Sequence, residues 1–379
     1  MVPSRTHPPS CHRIPSAARG TAAILLLAIG ACACASTSRS LPPVAWEGER
    51  LRYASTVGRL PCGDSLEFMD RRIEALQTAL DEPLSPDEKV TYYWLPGRME
   101  LSPCPRGGDC AEGLQVFSRT LFHDHEIVHV LLRKRGRSQT FLYEGLAEAY
   151  GRAGGSLTVP RAKARAEVLR SLAAGVDPRS ISYPLAGLFV RYLIDTHGLP
   201  AVRRVHARAR ADTDLERLQQ LFEQDLGSSL DAVVDRFVAD APDCYPRTNL
   251  CAGQLVAWRE GVWRRHLGLE CRSPGVLEIA RGMLRNEALI EIPETGAYRI
   301  TASPSSTPIE PIVIAPCTCR PEVRLVEAGG EQTVQLERGR YRVLAGRHAP
   351  DVASAAPPVQ VTIRALAPRV PRSEGEGVP

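Results

Sequence analysis

A chain of 379 residues, 44% hydrophobic and 24% charged, has room for about two ordinary domains and enough apolar content to bury their cores. That composition excludes a multispanning membrane protein and a wholly disordered one. With 47 basic against 43 acidic residues the net charge is only +4, too balanced for a protein that coats nucleic acid, so no nucleic-acid partner is expected.

Residues 1–31 read as an export address. Arg5, Arg13 and Arg19 form a positive region, and the apolar run from Thr21 to Ala31 is shorter than the ~20 residues of a spanning helix. The segment Leu27-Ala28-Ile29-Gly30-Ala31-Cys32 resembles a bacterial lipoprotein signal. That resemblance implies lipidation of Cys32, a tether over residues 32–45, and a membrane partner through the anchor. A plain secretory signal cleaved nearby is the alternative. Either way the mature chain is expected at the cell envelope, facing the periplasm or the outer membrane, where disulfides persist. Of the eleven cysteines, Cys62, Cys104, Cys110, Cys244, Cys251, Cys271, Cys317 and Cys319 then remain in the body. Their connectivity stays open. Short loops favour Cys104–Cys110 and Cys244–Cys251, while Cys317 and Cys319 are too close to pair comfortably with each other. No CxxC pair occurs, so disulfides are preferred to a zinc knuckle.

A short strand is expected over Leu51–Val57, then a helix over Ser65–Leu80, where Leu66, Met69, Ile73, Leu76 and Leu80 recur at helical spacing and Ser65 is the candidate N-cap. Lys89–Leu95, rich in β-branched and aromatic residues, reads as a strand whose edge could align a substrate, and Leu114–Arg119 as another. The middle is helical: an apolar stretch from Leu121 to Leu132, a second helix from about Thr140 to Tyr150, then 161–174, 184–197, 199–210, 214–226 and 229–240. From Gly275 onward short alternating segments separated by turns read as an antiparallel β-sandwich. The expected fold class is therefore α+β, with a domain over 46–242, a cysteine-containing β-sandwich over 243–366 and a flexible tail over 367–379.

One constellation carries chemistry: His125-Glu126-Ile127-Val128-His129. On a helix, residues four apart share a face, so the two imidazoles can grip one Zn²⁺. Glu126 lies beside the metal, placed to take a proton from a zinc-bound water. A catalytic zinc needs a third protein ligand, and Glu144 and Glu148 stand four apart in the otherwise apolar Phe141–Glu148 segment. One of them can coordinate while the other orients a ligand histidine. His123, two positions before His125, is expected to point to another helix face. His197, His206, His266 and His348 are isolated in the sequence.

The segments His125-Glu126-Ile127-Val128-His129-Val130-Leu131-Leu132 and Phe141-Leu142-Tyr143-Glu144-Gly145-Leu146-Ala147-Glu148 resemble the gluzincin metallopeptidases, most closely their peptidase-MA-like branch. The likeness covers about residues 90–240 and is specific at those two segments. It implies His125, His129 and Glu144 as ligands of one zinc ion, Glu126 as general base and Glu148 as its acidic outer partner. Tyr183, at the head of a tyrosine-led helix, becomes the candidate oxyanion donor, with Tyr192 in reserve. Pro184 directly after Tyr183 and the short gap from His129 to Glu144 depart from the larger members of the clan. The expected activity is zinc-dependent hydrolysis of a peptide or protein substrate. The alternative is a non-catalytic surface lipoprotein that keeps a peptidase-like module for zinc or partner binding. Neither reading identifies the substrate or the oligomeric state.

Overall fold

The structure, a computed structural model, describes residues 40–104, 108–152, 160–173, 177–245, 255–318, 324–348 and 356–366. The expectations for the signal, the tether up to residue 39, lipidated Cys32 and the tail from residue 367 lie outside these residues.

The apolar spacing of Ser65–Leu80 does form a helix, α1, and Leu66, Met69, Ile73, Leu76 and Leu80 are its buried face. Its N-cap is Asp64 rather than Ser65. The Ser65 hydroxyl donates instead to the Cys62 carbonyl and accepts from the Glu278 amide. α1 packs near a five-stranded sheet of β1 (Val44–Glu47), β2 (Leu51–Ser55), β3 (Val90–Trp94), β4 (Cys110–Glu112) and β5 (Gln115–Ser118), in the order β1-β2-β3-β5-β4. β3 runs parallel to both β2 and β5 and is buried along its whole length. A strand hydrogen-bonded on both sides has no edge to offer, so the expectation that 89–95 aligns a substrate is overturned. The outer edge on that side is β4, which is antiparallel to β5.

Among the described residues seven more helices follow: α2 (Asp124–Leu132), α3 (Thr140–Ala147), α4 (Arg161–Ser171), α5 (Tyr183–His197), α6 (Leu199–Arg208), α7 (Leu215–Leu226) and α8 (Leu230–Asp240). α2 is shorter than the apolar run suggested, starting at Asp124 with His123 as its N-cap. Every residue from His125 to Leu132 is buried, which is the mark of a helix surrounded by other elements. α3 continues into a π-helical turn over Glu148–Arg152. Ser182 caps α5 through its side chain, and Pro184 falls in the first turn, where a missing amide proton costs nothing.

The remaining strands are β6 (Val262–Leu267), β7 (Leu277–Ala280), β8 (Met283–Ile292), β9 (Gly296–Ala302), β10 (Ile312–Pro316), β11 (Arg324–Val326), β12 (Glu331–Leu336), β13 (Gly339–His348) and β14 (Val359–Ala365). They form two antiparallel sheets, β11-β10-β13-β8-β7 and β12-β9-β14-β6. Ile290, Ile314 and Val343 from the first share one core with Trp263, Ile300 and Val361 from the second. Alternation from Gly275 onward anticipated strands in that region but not β6, which precedes it and whose Arg264-Arg265-His266 centre interrupts the apolar pattern. The architecture is α+β.

The two cores are joined near Cys62. A Cys62–Cys271 disulfide spans 209 residues of sequence, and Gly63 bridges to Leu277. Arg59 forms a two-pronged ion pair with the buried Glu278 carboxylate, which also accepts from the Cys62 and Gly282 amides. Cys104 and Cys110 are bonded as the short loop suggested. Cys244 and Cys317 are also in disulfides, but Cys251 and Cys319 lie outside the described residues. No helix among the described residues is long and apolar enough to cross a membrane.

Candidate metal centre

α2 and α3 bring the expected ligands together. His125 Nε2 lies 3.0 Å from His129 Nε2 and 3.1 Å from Glu144 Oε2, and His129 Nε2 lies 3.2 Å from the same oxygen. Three lone-pair atoms thus close a triangle of nearly equal sides. Hydrogen bonds alone do not account for it, because each imidazole Nε2 carries at most one proton and points it in one direction. Donors set tetrahedrally about 2.0–2.1 Å from one ion would stand roughly 3.3 Å apart, close to what these atoms do. The His125, His129 and Glu144 group can therefore hold a metal ion.

The surroundings fit a cation as well. Glu144 lies against His125 and His129, Glu148 against His125 and Glu126 against His123, all in a largely buried space. Without a cation, protons must balance those carboxylates. Burial opposes a charge on His125, but Glu144 and Glu148 outweigh it and push its pKa up to about 9. Burial likewise disfavours the Glu144 carboxylate, yet contact with His125 and His129 holds it down to about 2. Both shifts express one interaction, that of a buried cation with a buried anion. A divalent ion can take over the role of the proton.

Glu148 serves the far side of the ring, with its Oε1 3.1 Å from His125 Nδ1. The π-helical turn that begins at Glu148 runs close behind α2. A Cβ placed on Gly151 would collide with the His125 backbone nitrogen and Cα, so only glycine permits this approach. Arg72 of α1 fixes the start of α2, donating to Asp124 at 2.8 Å and to the Tyr150 carbonyl at 3.3 Å.

The triangle opens into a cleft of about 520 Å³. Its walls include Asp109, Cys110 and Ala111 beside the β4 edge, Arg137 from the α2–α3 connection, and Tyr183 from the first turn of α5. Glu126 also lines it, only 7% exposed, and burial raises its pKa against the pull of His129 and His125. A carboxylate made more basic in this way suits proton transfer near neutrality.

Tyr183 faces the cleft with its ring 5.9 Å from that of His125. Tyr192 does not reach it. That side chain is buried against Phe237, so the reserve role falls away. Two residues were missed or misplaced. Tyr143 lines the cleft and stacks on His129 at 4.2 Å, with burial and then Glu144 pushing its hydroxyl up to about 12. Its place directly before Glu144 was the available signal. His123 lines the same cleft, 3.8 Å from Glu126, because it caps α2 instead of occupying a helical face. His206, isolated in sequence, is buried with its ring 6.0 Å from that of Tyr143. Between α2 and α3, Arg133 and Lys134 pair with Glu88 and Arg135 with Glu82, while exposed Arg137 lines the cleft.

The chain matches no protein-family model and no curated protein. Among solved structures it is similar to the isomalto-dextranase of Arthrobacter globiformis T6 complexed with panose, at 11% identity and a TM-score of 0.17. That likeness covers 28% of this chain and 24% of that one. It is also similar to the hydroxypropylphosphonic acid epoxidase of S. wedmorenis, at 10% identity and a TM-score of 0.13 over 61% of this chain and 99% of that one. At TM-scores this low, neither likeness bears on the fold or the chemistry of this chain.

Proposed function

We propose that this chain is a zinc-dependent peptide hydrolase of the cell envelope, with a gluzincin-like core, a C-terminal β-sandwich and a lipid anchor at Cys32. The observation that carries the reading is the closed triangle of His125 Nε2, His129 Nε2 and Glu144 Oε2, with Glu126 beside it at the back of an open cleft. Two imidazoles and one carboxylate form a donor set suited to zinc, with a coordination position left for water or substrate. When bound, the ion supplies Lewis acidity toward a carbonyl and lowers the pKa of a coordinated water to about 7.

The chain's own residues supply the rest. Glu126 takes the proton of the attacking water and delivers it to the leaving amine. Tyr183 and the protonated Tyr143 are the phenols lining the cleft that would donate to the oxyanion that develops on the peptide carbonyl. β4 pairs only with β5 among the described residues, so an extended peptide can add to its outer edge along the cleft.

The test uses the full chain with zinc measured alongside hydrolysis of a mixed peptide library. Glu126→Gln should keep the metal and lose roughly 10²–10⁴-fold in rate, and His125→Ala should lose both. Hydrolysis that survives Glu126→Gln would sink the catalytic assignment. A zinc-bound wild type without hydrolysis would favour the non-catalytic lipoprotein.

A further inference from the structure

A second cavity, of about 650 Å³, lies in the C-terminal sheets and has no part in the metal site. Arg259, Arg264, Arg265, His266 and Arg364 line it, with Glu260 as its acidic lining residue. We propose that this cavity binds a small, soluble phosphate-bearing anion.

Pairing register explains why the charges converge. β6 is the edge strand of its sheet and pairs with β14, with Arg264 opposite Thr362, His266 opposite Gln360 and Arg364 opposite Val262. Directly opposed residues share a face, so Arg264, His266 and Arg364 project from one side. Arg364 also stands opposite Arg299 of β9. Like charges so placed destabilise a sheet unless something neutralises them. Arg299 has Glu331 at 3.4 Å. Arg259, Arg264, Arg265 and Arg364 make no ion pair among the described residues.

What sets the site apart is convergence, because Arg272 and Arg281 also lack an ion pair among the described residues but do not line this cavity. Arg340 and Arg342, on the other sheet, pair with Glu291 and Glu287. Arginine in place of lysine means little in a chain with only three lysines, so placement carries the inference and residue type does not. The rim is also built. Arg259 and Val262 exchange both backbone hydrogen bonds around a two-residue turn, with Glu260 at φ 51° and Gly261 at φ 71°. Both φ values are the left-handed ones that a tight two-residue hairpin turn requires, with glycine at the second position. Trp263 donates to the Val256 carbonyl and fixes the wall opposite.

A charged β-edge that merely guards against aggregation needs no cavity. A concavity of this volume suits a small ligand, while a flat bilayer would meet exposed convex surface instead. Phosphate groups match it because each offers several acceptors and up to two charges to guanidinium forks.

Tripolyphosphate is the probe, titrated calorimetrically into the full chain at low salt. Wild type should bind and Arg264→Gln/Arg364→Gln should bind at least roughly tenfold more weakly, with thermal midpoint and zinc content unchanged. Arg272→Gln/Arg281→Gln removes the same charge elsewhere on these sheets and should retain wild-type affinity. No binding by wild type, or equal losses in the two variants, would overturn the site. So would vesicles of equal parts phosphatidylcholine and phosphatidylglycerol that capture wild type in preference to Arg264→Gln/Arg364→Gln when tripolyphosphate does not bind.

Discussion

Glu148 Oε1 lies 3.1 Å from His125 Nδ1, across the imidazole from the edge that meets Glu144. A carboxylate there favours the proton on Nδ1 and leaves the Nε2 lone pair for a metal. Glu148→Gln should therefore lower zinc affinity by roughly 10–100-fold without disturbing the three proposed ligands. Competition with a chelating dye measures this directly. An unchanged affinity would mean that Glu148 only fills space behind the ring.

Gly151 offers a second check on the same support. At an ordinary helical position, glycine to alanine stabilises by about 0.5–1 kcal/mol. Here the added methyl would strike the His125 backbone, so Gly151→Ala should destabilise by about 1–3 kcal/mol. The sign of the change in denaturant midpoint decides between these outcomes. Zinc occupancy should fall with stability, because the displaced backbone carries a ligand.

The Cys62–Cys271 bridge should matter more than its single bond suggests. It closes 209 residues of sequence and sits beside the Arg59–Glu278 pair that joins the two cores. Replacing both cysteines by alanine should cost about 5 kcal/mol on loop entropy alone. The double variant should unfold at markedly lower denaturant than wild type, and reduction of wild type should reproduce the shift only when it breaks this bridge.

Much of the site could be read from spacing because it lies on helices, where an interval of four residues fixes a shared face. That is why His125 and His129 share a face, while the choice of Glu144 over Glu148 came only from the resemblance, and Glu144 does meet the two histidines. His123 escaped the same reasoning because its backbone is not helical, and an angular offset means nothing at a cap. Tyr143 was passed over because an aromatic in an apolar segment reads as core until its neighbour is placed. β6 was hidden for a different reason. An edge strand can expose three consecutive polar residues, and the alternation that betrays a half-buried strand then disappears. The cross-chain pairing of Cys62 with Cys271 had no local signature at all.

His206 yields a pH prediction. Its ring is 3% exposed, lies beside a small apolar cavity lined by Leu142, Leu146 and Val202, and neither nitrogen finds a hydrogen-bond partner among the described residues. Burial, then Arg135 and His129, lower its pKa from the ordinary 6.5 to about 4. The folded state therefore resists a proton that the unfolded chain accepts. Above pH 6.5 the residue is neutral in both states, and the stability present there is lost as pH falls toward 4. The loss attributable to this side chain is about 3 kcal/mol over that window. His206→Leu cannot take up the proton, so its stability should fall less steeply than wild type over the same range. Chemical denaturation at several pH values, with chelator present so that metal release does not contribute, compares the two slopes. Parallel slopes would show that His206 is already accommodated as a cation in the folded protein.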